Sequence, residues 1–417
     1  MRFAARVAVL AALSMLQACM ASPAPRVATP TTTAVPAEAR APVTILVSID
    51  GFRPDYRDRG VTPNLNALAD AGISAAMRPS FPSITFPNHW TLVTGLRPDR
   101  SGIVGNRMED KAKPGVTFTM QTDDPFWWTQ SEPLWVTAER AGIRTATMFW
   151  PGANVDWKGT RPTDWQQFNG VVTDRQRVDA IIDWLRRPAD TRPTFLTLYF
   201  DEVDHAGHEF GPADARTTEA VATVDKAIGR LRDGLAALGQ PANLVIVADH
   251  GMAGISPDRL IKLYDMVPAA DMRVVTDGPY AGIEPTLGKE ASVLAAVTKP
   301  NSHMQCWPKA QIPARLAYGK NPRVPSIICL ADVGWMILGS PPKPDRPFKG
   351  GGAHGYDNNA ADMRALFLAS GPAIKPLGKI DSFDNVDVAP LLRDLLGLPA
   401  GTGLDGDDAP FRAALAK

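Results

Sequence analysis

Six side chains of metal-binding type stand where apolar runs stop or in a glycine-rich loop. Asp50 follows Val43-Thr-Ile-Leu-Val-Ser-Ile49, Asp204 and His208 follow Thr194 to Phe200, and Asp249 and His250 follow Asn243 to Ala248. His354 lies in Gly350-Gly-Gly-Ala-His-Gly355, a loop too glycine-rich to be chosen for packing. Short apolar runs of this kind read as buried strands. In open α/β sheets, ligands bind beyond the carboxyl ends of the strands, so groups far apart in sequence should converge on one edge. Three carboxylates and three imidazoles supply the oxygen and nitrogen donors that two divalent ions of the zinc kind take. Taken singly, each has a plainer reading. Asp50-Gly51 and Asp249-His250 are turn or loop pairs, Asp204 and His208 a helix start with a solvated imidazole, and the glycines around His354 a flexible loop. The set as a whole points to metal.

A nucleophile candidate lies in Ser83-Ile-Thr-Phe-Pro-Asn-His-Trp-Thr-Leu-Val-Thr-Gly95. Thr85 precedes Pro87, which is placed like a first-turn proline, so a helix should begin here. A helix start offers unpaired N–H donors and partial positive charge, a phosphate site. A free threonine hydroxyl is a poor nucleophile near neutral pH, but coordination by a divalent metal lowers the pKa of a bound hydroxyl by several units. Without metal ligands nearby, Thr85 would read as a helix cap.

The elements that must position these groups follow an alternating pattern. Thr62-Pro63 opens a helix that Gly72 should close. Arg144 to Trp150 reads as a strand, and Asp174 should cap a helix whose Val178, Ile181, Ile182 and Leu185 share one face. A longer amphipathic helix carries Val221, Val224, Ile228, Leu231, Leu235 and Leu238. Alternating strand and helix predicts an α/β fold with a mostly parallel sheet covered on both faces. Between about 254 and 350 the alternation lapses into a Pro- and Gly-rich stretch, expected to be an inserted lid or subdomain before the pattern resumes at Arg364 to Ala369.

The chain has 417 residues, 45% of them hydrophobic and 21% charged, which suffices for a sizeable core. Lys+Arg and Asp+Glu number 44 each, so there is no basic footprint for sequence-specific nucleic-acid binding. Met1 to Arg6 is a short positive segment, and Val7 to Leu16 is an apolar run too short to span a bilayer, as in a secretory signal. Leu16-Gln-Ala-Cys19 resembles the lipobox at which bacterial lipoproteins are cleaved and acylated, which would tie the chain to a membrane through lipidated Cys19. Simple cleavage near Ala21 is the alternative. The expected organisation is therefore a signal peptide over 1–18, a Pro/Ala/Thr-rich disordered tether over 19–41, and a domain over 42–417. Removing 1–18 takes Arg2 and Arg6 and leaves the remainder slightly acidic. Cys306 and Cys329 are either a disulfide, as an oxidising compartment allows, or two unpaired buried thiols.

Seven segments together resemble the nucleotide pyrophosphatase/phosphodiesterase family of the alkaline phosphatase superfamily. They are Ile45-Leu-Val-Ser-Ile-Asp-Gly-Phe-Arg53, Thr85-Phe-Pro-Asn-His89, Thr94-Gly-Leu-Arg-Pro98, Gly102-Ile-Val-Gly-Asn106, Asp204-His-Ala-Gly-His208 with the following Glu-Phe-Gly-Pro212, Asp249-His-Gly-Met252 and His354-Gly-Tyr-Asp-Asn358. The similarity runs from about residue 43 to 400 and keeps motif order. It implies an alkaline-phosphatase-like fold in a bacterial member with one catalytic domain; the signal and lipobox readings above add the expectation of export to the periplasm or anchoring at the outer membrane. It further implies one zinc on Asp204, His208 and His354, and a second on Asp50, Thr85, Asp249 and His250. Asn106, with a backbone N–H near Thr85, would hold a phosphoryl oxygen. Phe86, Trp165 and Tyr199 would stack against the base of a nucleotide, while His89, His205 and His303 match no ligand position. The implied reaction is zinc-dependent hydrolysis of nucleotide phosphodiester and pyrophosphate bonds through a phosphothreonine. Rival expectations are a phosphodiesterase of glycerophosphodiesters or choline lipids, a phosphate monoesterase, and a non-catalytic zinc-binding lipoprotein.

Overall fold

The computed structural model describes residues 39–345 and 347–416. The expected signal and lipid-bearing Cys19 fall outside them. Strands β1 (Val43–Ile49), β2 (Gly72–Met77), β3 (Thr145–Met148), β4 (Asp164–Gln166), β5 (Phe195–Phe200) and β6 (Ala242–Val247) come first. Residues 254–350 then contribute β7 (Met272–Thr276), β8 (Tyr280–Pro285), β9 (Met304–Pro308) and β10 (Ile327–Ala331), a separate four-stranded antiparallel sheet in the order β7-β8-β10-β9. The main sheet is completed by β11 (Ala365–Ser370) and β12 (Gly378–Lys379).

The main sheet has eight strands in the order β12-β2-β11-β6-β1-β5-β3-β4. Only β11 runs against the rest, pairing antiparallel with both β2 and β6. β1 is buried at every position, as its unbroken apolar run requires in a sheet covered on both faces. The helices are α1 (Pro63–Asp70), α2 (Thr85–Thr94), α3 (Asp174–Leu185), α4 (Glu202–Phe210) and α5 (Ala215–Ala237). One group packs α1, α3 and α4 against α5, and another packs α2 against Leu134–Arg140 and Val388–Leu395. Val221, Val224, Ile228 and Leu231 form the buried stripe of α5.

Two boundaries differ from the expected ones. Gly72 does not close a helix but starts β2, opposite Ser370 of β11. A Cβ there would lie 2.0 Å from the Ala369 carbonyl oxygen, so only glycine permits this approach. The helix at 174 is capped by Thr173, whose side chain and that of Gln176 form a reciprocal capping box.

Cys306 and Cys329 stand directly opposite each other on β9 and β10 and form a disulfide. The bond closes a loop with a sequence separation of 23 residues. Its reduction is expected to destabilise the smaller sheet by about 3 kcal/mol, read as a lower denaturation midpoint in Cys306→Ser/Cys329→Ser. An unchanged midpoint would show that the pair does not constrain the unfolded chain.

Candidate active site and metal centre

β6, β1 and β5 are adjacent and parallel, so their carboxyl ends form one edge. Asp50 leaves β1 there, and Asp249 and His250 follow β6. α4 begins two residues after β5 and carries Asp204 and His208 one turn apart on one face. His354 arrives from the far end of the chain because Gly351–Ala353 pairs antiparallel with Ala253–Ile255, directly after the Asp249-His250 corner. That strand lies hard against α4: a Cβ at Gly351 would be 2.2 Å from the His208 carbonyl oxygen, and one at Gly352 would be 2.4 Å from that of Gly207. The glycines before His354 thus serve close approach rather than flexibility.

The structure brings Thr85 and the six donors together. Thr85 is the first residue of α2, and the preceding extended Ile84 occupies the cap position with no side-chain bond, so Thr85 is not the helix cap. Its Oγ1 lies 3.3 Å from His250 Nε2. The same nitrogen is 2.9 Å from Asp249 Oδ2 and 3.5 Å from Asp50 Oδ1. On the other side, His208 Nε2 and His354 Nε2 are 3.0 Å apart, and they lie 3.4 and 3.5 Å from the two oxygens of Asp204. Donor atoms of Asp50, Asp249 and His250 fall within 4.8 Å of one another, as do those of Asp204, His250 and His354. His250 therefore sits at the junction of the two groups rather than wholly in one.

Local chemistry fits this donor set to cations. The Nδ1 atoms of His208, His250 and His354 face the carbonyl oxygens of Gly352, Gly251 and Ser83 at 2.9, 2.9 and 3.1 Å. Only an N–H can donate there, so in its neutral form each imidazole turns an Nε2 lone pair toward the cluster. Burial opposes a charge on His250, but the adjacent Asp249 carboxylate outweighs it and raises its pKa, so a cation binding there would displace a proton. The two lone pairs of His208 and His354 repel at 3.0 Å unless they share an electrophile. Each aspartate presents an orphan: Asp50 Oδ1, Asp204 Oδ1 and Asp249 Oδ2 are buried without a hydrogen-bond donor. Tyr199 OH donates to Asp50 Oδ2 at 2.7 Å, and Gly51 N–H donates to Asp249 Oδ1 at 3.2 Å, so both carboxylates are held by one oxygen and offer the other. Burial, then the charges of Asp249 and Asp204, push the Asp50 carboxyl well above its usual range. Burial, then the imidazoles of His250 and His208, hold His354 well below its usual range, in the neutral form a ligand needs.

A cavity of about 430 Å³ opens above this floor, large enough for a small organic ligand. Phe86, Asn106 and Tyr199 line it. Asn106 Oδ1 accepts from Phe86 N–H at 2.9 Å, which occupies that backbone donor and leaves the amide NH2 of Asn106 to serve a ligand. Tyr199 has a further task, since its hydroxyl orients Asp50. Trp165 is a correction: it lies on the edge strand β4 paired with Thr147, under the Arg161 guanidinium, and does not line the cavity. Phe168, two residues beyond β4, lines it instead, 52% exposed and edge-on to Tyr199 and Phe149. His89 stays structural, its nitrogens bonded to Ser48 Oγ and the Thr85 carbonyl. His205 lines the cavity, and His303 stacks on Trp335 outside it.

Sequence patterns gave no role to Arg177, although a charge on the apolar face of α3 was a signal. Its buried guanidinium donates to Asp201 Oδ1 at 2.7 Å, the Tyr199 carbonyl at 3.1 Å and the Val172 carbonyl at 2.9 Å. It also lies over the rings of Phe149 and Phe168 at 5.1 and 5.8 Å, and so props the aromatic wall from behind. Phe149 itself takes a left-handed φ of 57°, a strained conformation for a bulky residue. Arg177→Met is expected to cost about 3 kcal/mol of stability, because it strands the groups that Arg177 pairs. It should also raise KM for an aromatic ester more than it lowers kcat. An unchanged KM would show that the wall does not need this support.

A mostly parallel sheet with acidic and imidazole donors gathered beyond its carboxyl edge defines an alkaline-phosphatase-like α/β protein with a metal-binding donor set. The profile of type I phosphodiesterase/nucleotide pyrophosphatase matches residues 44–357, and the chain belongs to that family. Ectonucleotide pyrophosphatase/phosphodiesterase family member 1 of Mus musculus is 36% identical over 379 residues, covering 87% of this chain and 42% of that protein. The bis(5′-adenosyl)-triphosphatase of Xenopus laevis is 37% identical over 367 residues, covering 87% of this chain and 79% of that one. Murine ectonucleotide pyrophosphatase/phosphodiesterase 5, solved as an inactive threonine-to-alanine variant in complex with AMP, superposes with a TM-score of 0.85 at 32% identity, covering 90% of this chain and all of that one.

Proposed function

We propose that the protein hydrolyses nucleotide phosphodiester and pyrophosphate bonds to release a nucleoside 5′-monophosphate, as in ATP to AMP and diphosphate, with Thr85 as nucleophile and two zinc ions as cofactors. The carrying observation is the placement of Thr85 Oγ1 at the first residue of α2, 3.3 Å from an imidazole shared by both donor groups. Asp50, Asp249 and His250 would hold one ion beside Thr85, and Asp204, His208 and His354 the other. Bound there, two divalent ions supply Lewis-acid charge that makes an alkoxide accessible near neutral pH and offsets charge on the departing oxygen.

The chain's own residues do the rest. Thr85 Oγ attacks phosphorus, the new O–P bond forms, and the bond to the leaving oxygen breaks, giving a phosphothreonine. Water then attacks phosphorus from the opposite side, the P–Oγ bond breaks, the nucleoside 5′-monophosphate departs, and the proton that water gives up restores the charge balance at Thr85 Oγ. The Asn106 amide NH2 and the start of α2 stabilise the phosphoryl oxygens. Phe86 and Phe168 on the cavity wall offer the base flat apolar contact. Three aspartates and one alkoxide match the charge of two divalent ions, a balance that suits a singly charged diester better than a dianionic monoester. The murine relative was solved in complex with AMP, which supports a nucleotide as the ligand.

The test compares p-nitrophenyl esters of thymidine monophosphate, phosphorylcholine and plain phosphate. The thymidine ester should be fastest. Preference for plain phosphate would make the protein a monoesterase, and preference for phosphorylcholine would move it to lipid headgroups. Export with a lipid on Cys19 belongs to the same proposal; the Cys306–Cys329 disulfide supports the export, and the lipid rests on the Leu16-Gln-Ala-Cys19 sequence alone. An unmodified mature peptide spanning Cys19 would contradict the anchor.

A further inference from the structure

The charges around the cavity are unevenly assigned. Its ionic lining consists of Asp50, Asp201 and Asp204 with the imidazoles of His205, His208 and His354, and among the described residues no lysine or arginine lines it. Asp50 and Asp204 belong to the donor set, and Asp201 is neutralised from behind by Arg177. The rest of the wall is uncharged: aromatic rings, Met120, Thr122 and Pro151, and the amides of Gln121, Asn154, Gln166 and Gln167. Nearby guanidinium groups are committed elsewhere. Arg53 bonds Asp55, Asp362 and the Met252 carbonyl, and Arg177 bonds the groups named above. Arg107, next to Asn106, lines a separate groove with Lys111, Lys113 and Arg273.

From this charge distribution we propose that the site selects by the charge of the departing group, favouring nucleotide diesters whose leaving group carries no further phosphate over nucleoside triphosphates. The inference rests on the phosphodiesterase reading above. Cleavage of a triphosphate at its α-phosphorus expels a diphosphate, and sites that bind such groups meet them with arginine, lysine or a helix start. Here the start of α2 already faces the phosphorus under attack. The trailing phosphates would meet compensated carboxylates, amides or water, so the triphosphate gains no charge-assisted bond in the transition state. Specificity of this kind is a difference between two substrates rather than tight binding of one.

The experiment uses the zinc-loaded protein without added magnesium, which would bring its own cation to the triphosphate. kcat/KM is measured for thymidine triphosphate and for the p-nitrophenyl ester of thymidine monophosphate, in the wild type and in Gln121→Lys and Gln121→Glu. Gln121 is exposed and lines the cavity, so either substitution changes charge without disturbing the core. The ratio between variants cancels the intrinsic difference in leaving-group reactivity. The wild type should favour the ester, Gln121→Lys should shift the ratio toward the triphosphate by about tenfold, and Gln121→Glu should shift it the other way. Equal or faster cleavage of the triphosphate by the wild type, or a ratio unmoved by both substitutions, would overturn the inference while leaving the phosphodiesterase reading intact. Cleavage of neither substrate would overturn both.

Discussion

Thr85→Ala is expected to lower kcat by at least about 10⁴-fold while the protein keeps its fold and its metal. Few substitutions separate chemistry from structure so cleanly. Ile84, not Thr85, holds the cap position of α2, and the cap makes no side-chain bond. Alanine at the first helical position loses one methyl and one hydroxyl, and helix propensity favours it. Stability should therefore change by no more than about 0.5 kcal/mol. What disappears is the oxygen 3.3 Å from His250 Nε2. Chemical denaturation, zinc content and turnover of the thymidine ester measured on one preparation check all three statements. Substantial turnover in Thr85→Ala would remove the nucleophile from the scheme, and a collapsed denaturation midpoint would show that Thr85 is structural after all.

His250→Ala should have the next largest effect, on metal content and rate together. Its Nε2 reaches Asp249, Asp50 and Thr85, and it belongs to both donor groups, whereas His208 stands at the rim with its side chain 43% exposed. Loss of His250 should therefore cost metal affinity well beyond the 10–100-fold typical of a supporting partner. Tyr199→Phe, which removes the hydroxyl that holds Asp50, should fall within that range. Because the donors must be deprotonated to bind a cation, affinity and rate should both fall as pH falls, and chelators should mimic the effect. The check is zinc per chain and kcat across pH for the wild type and the three variants His208→Ala, His250→Ala and Tyr199→Phe. Equal losses from His208→Ala and His250→Ala would contradict the junction role.

What could be read from the sequence was the part that short-range patterns encode. β1, β5 and β6 are apolar runs that stop at acids, and that alone places Asp50, Asp204 and Asp249 on one edge. The start of α2 at Thr85 followed from its proline. Side-chain direction and long-range partners were harder to read. β2 is rich in glycine and alanine, so it carries little strand signal, and its position is fixed by pairing with β11 nearly 300 residues later. β4 has only three residues, too few for alternation to tell which face Trp165 takes, and so Phe168 beyond it was overlooked. The Tyr199 hydroxyl reaches Asp50 across 149 positions, and the Arg177 guanidinium joins three segments. No local pattern encodes such bonds.

The most direct measurement is stereochemical. A nucleoside phosphorothioate ester of known configuration at phosphorus, hydrolysed in isotopically labelled water, reports how many in-line displacements occur. Attack by Thr85 followed by attack of water inverts phosphorus twice, so overall retention is the predicted result. Net inversion would mean that water reaches phosphorus directly and that Thr85 never bonds to it.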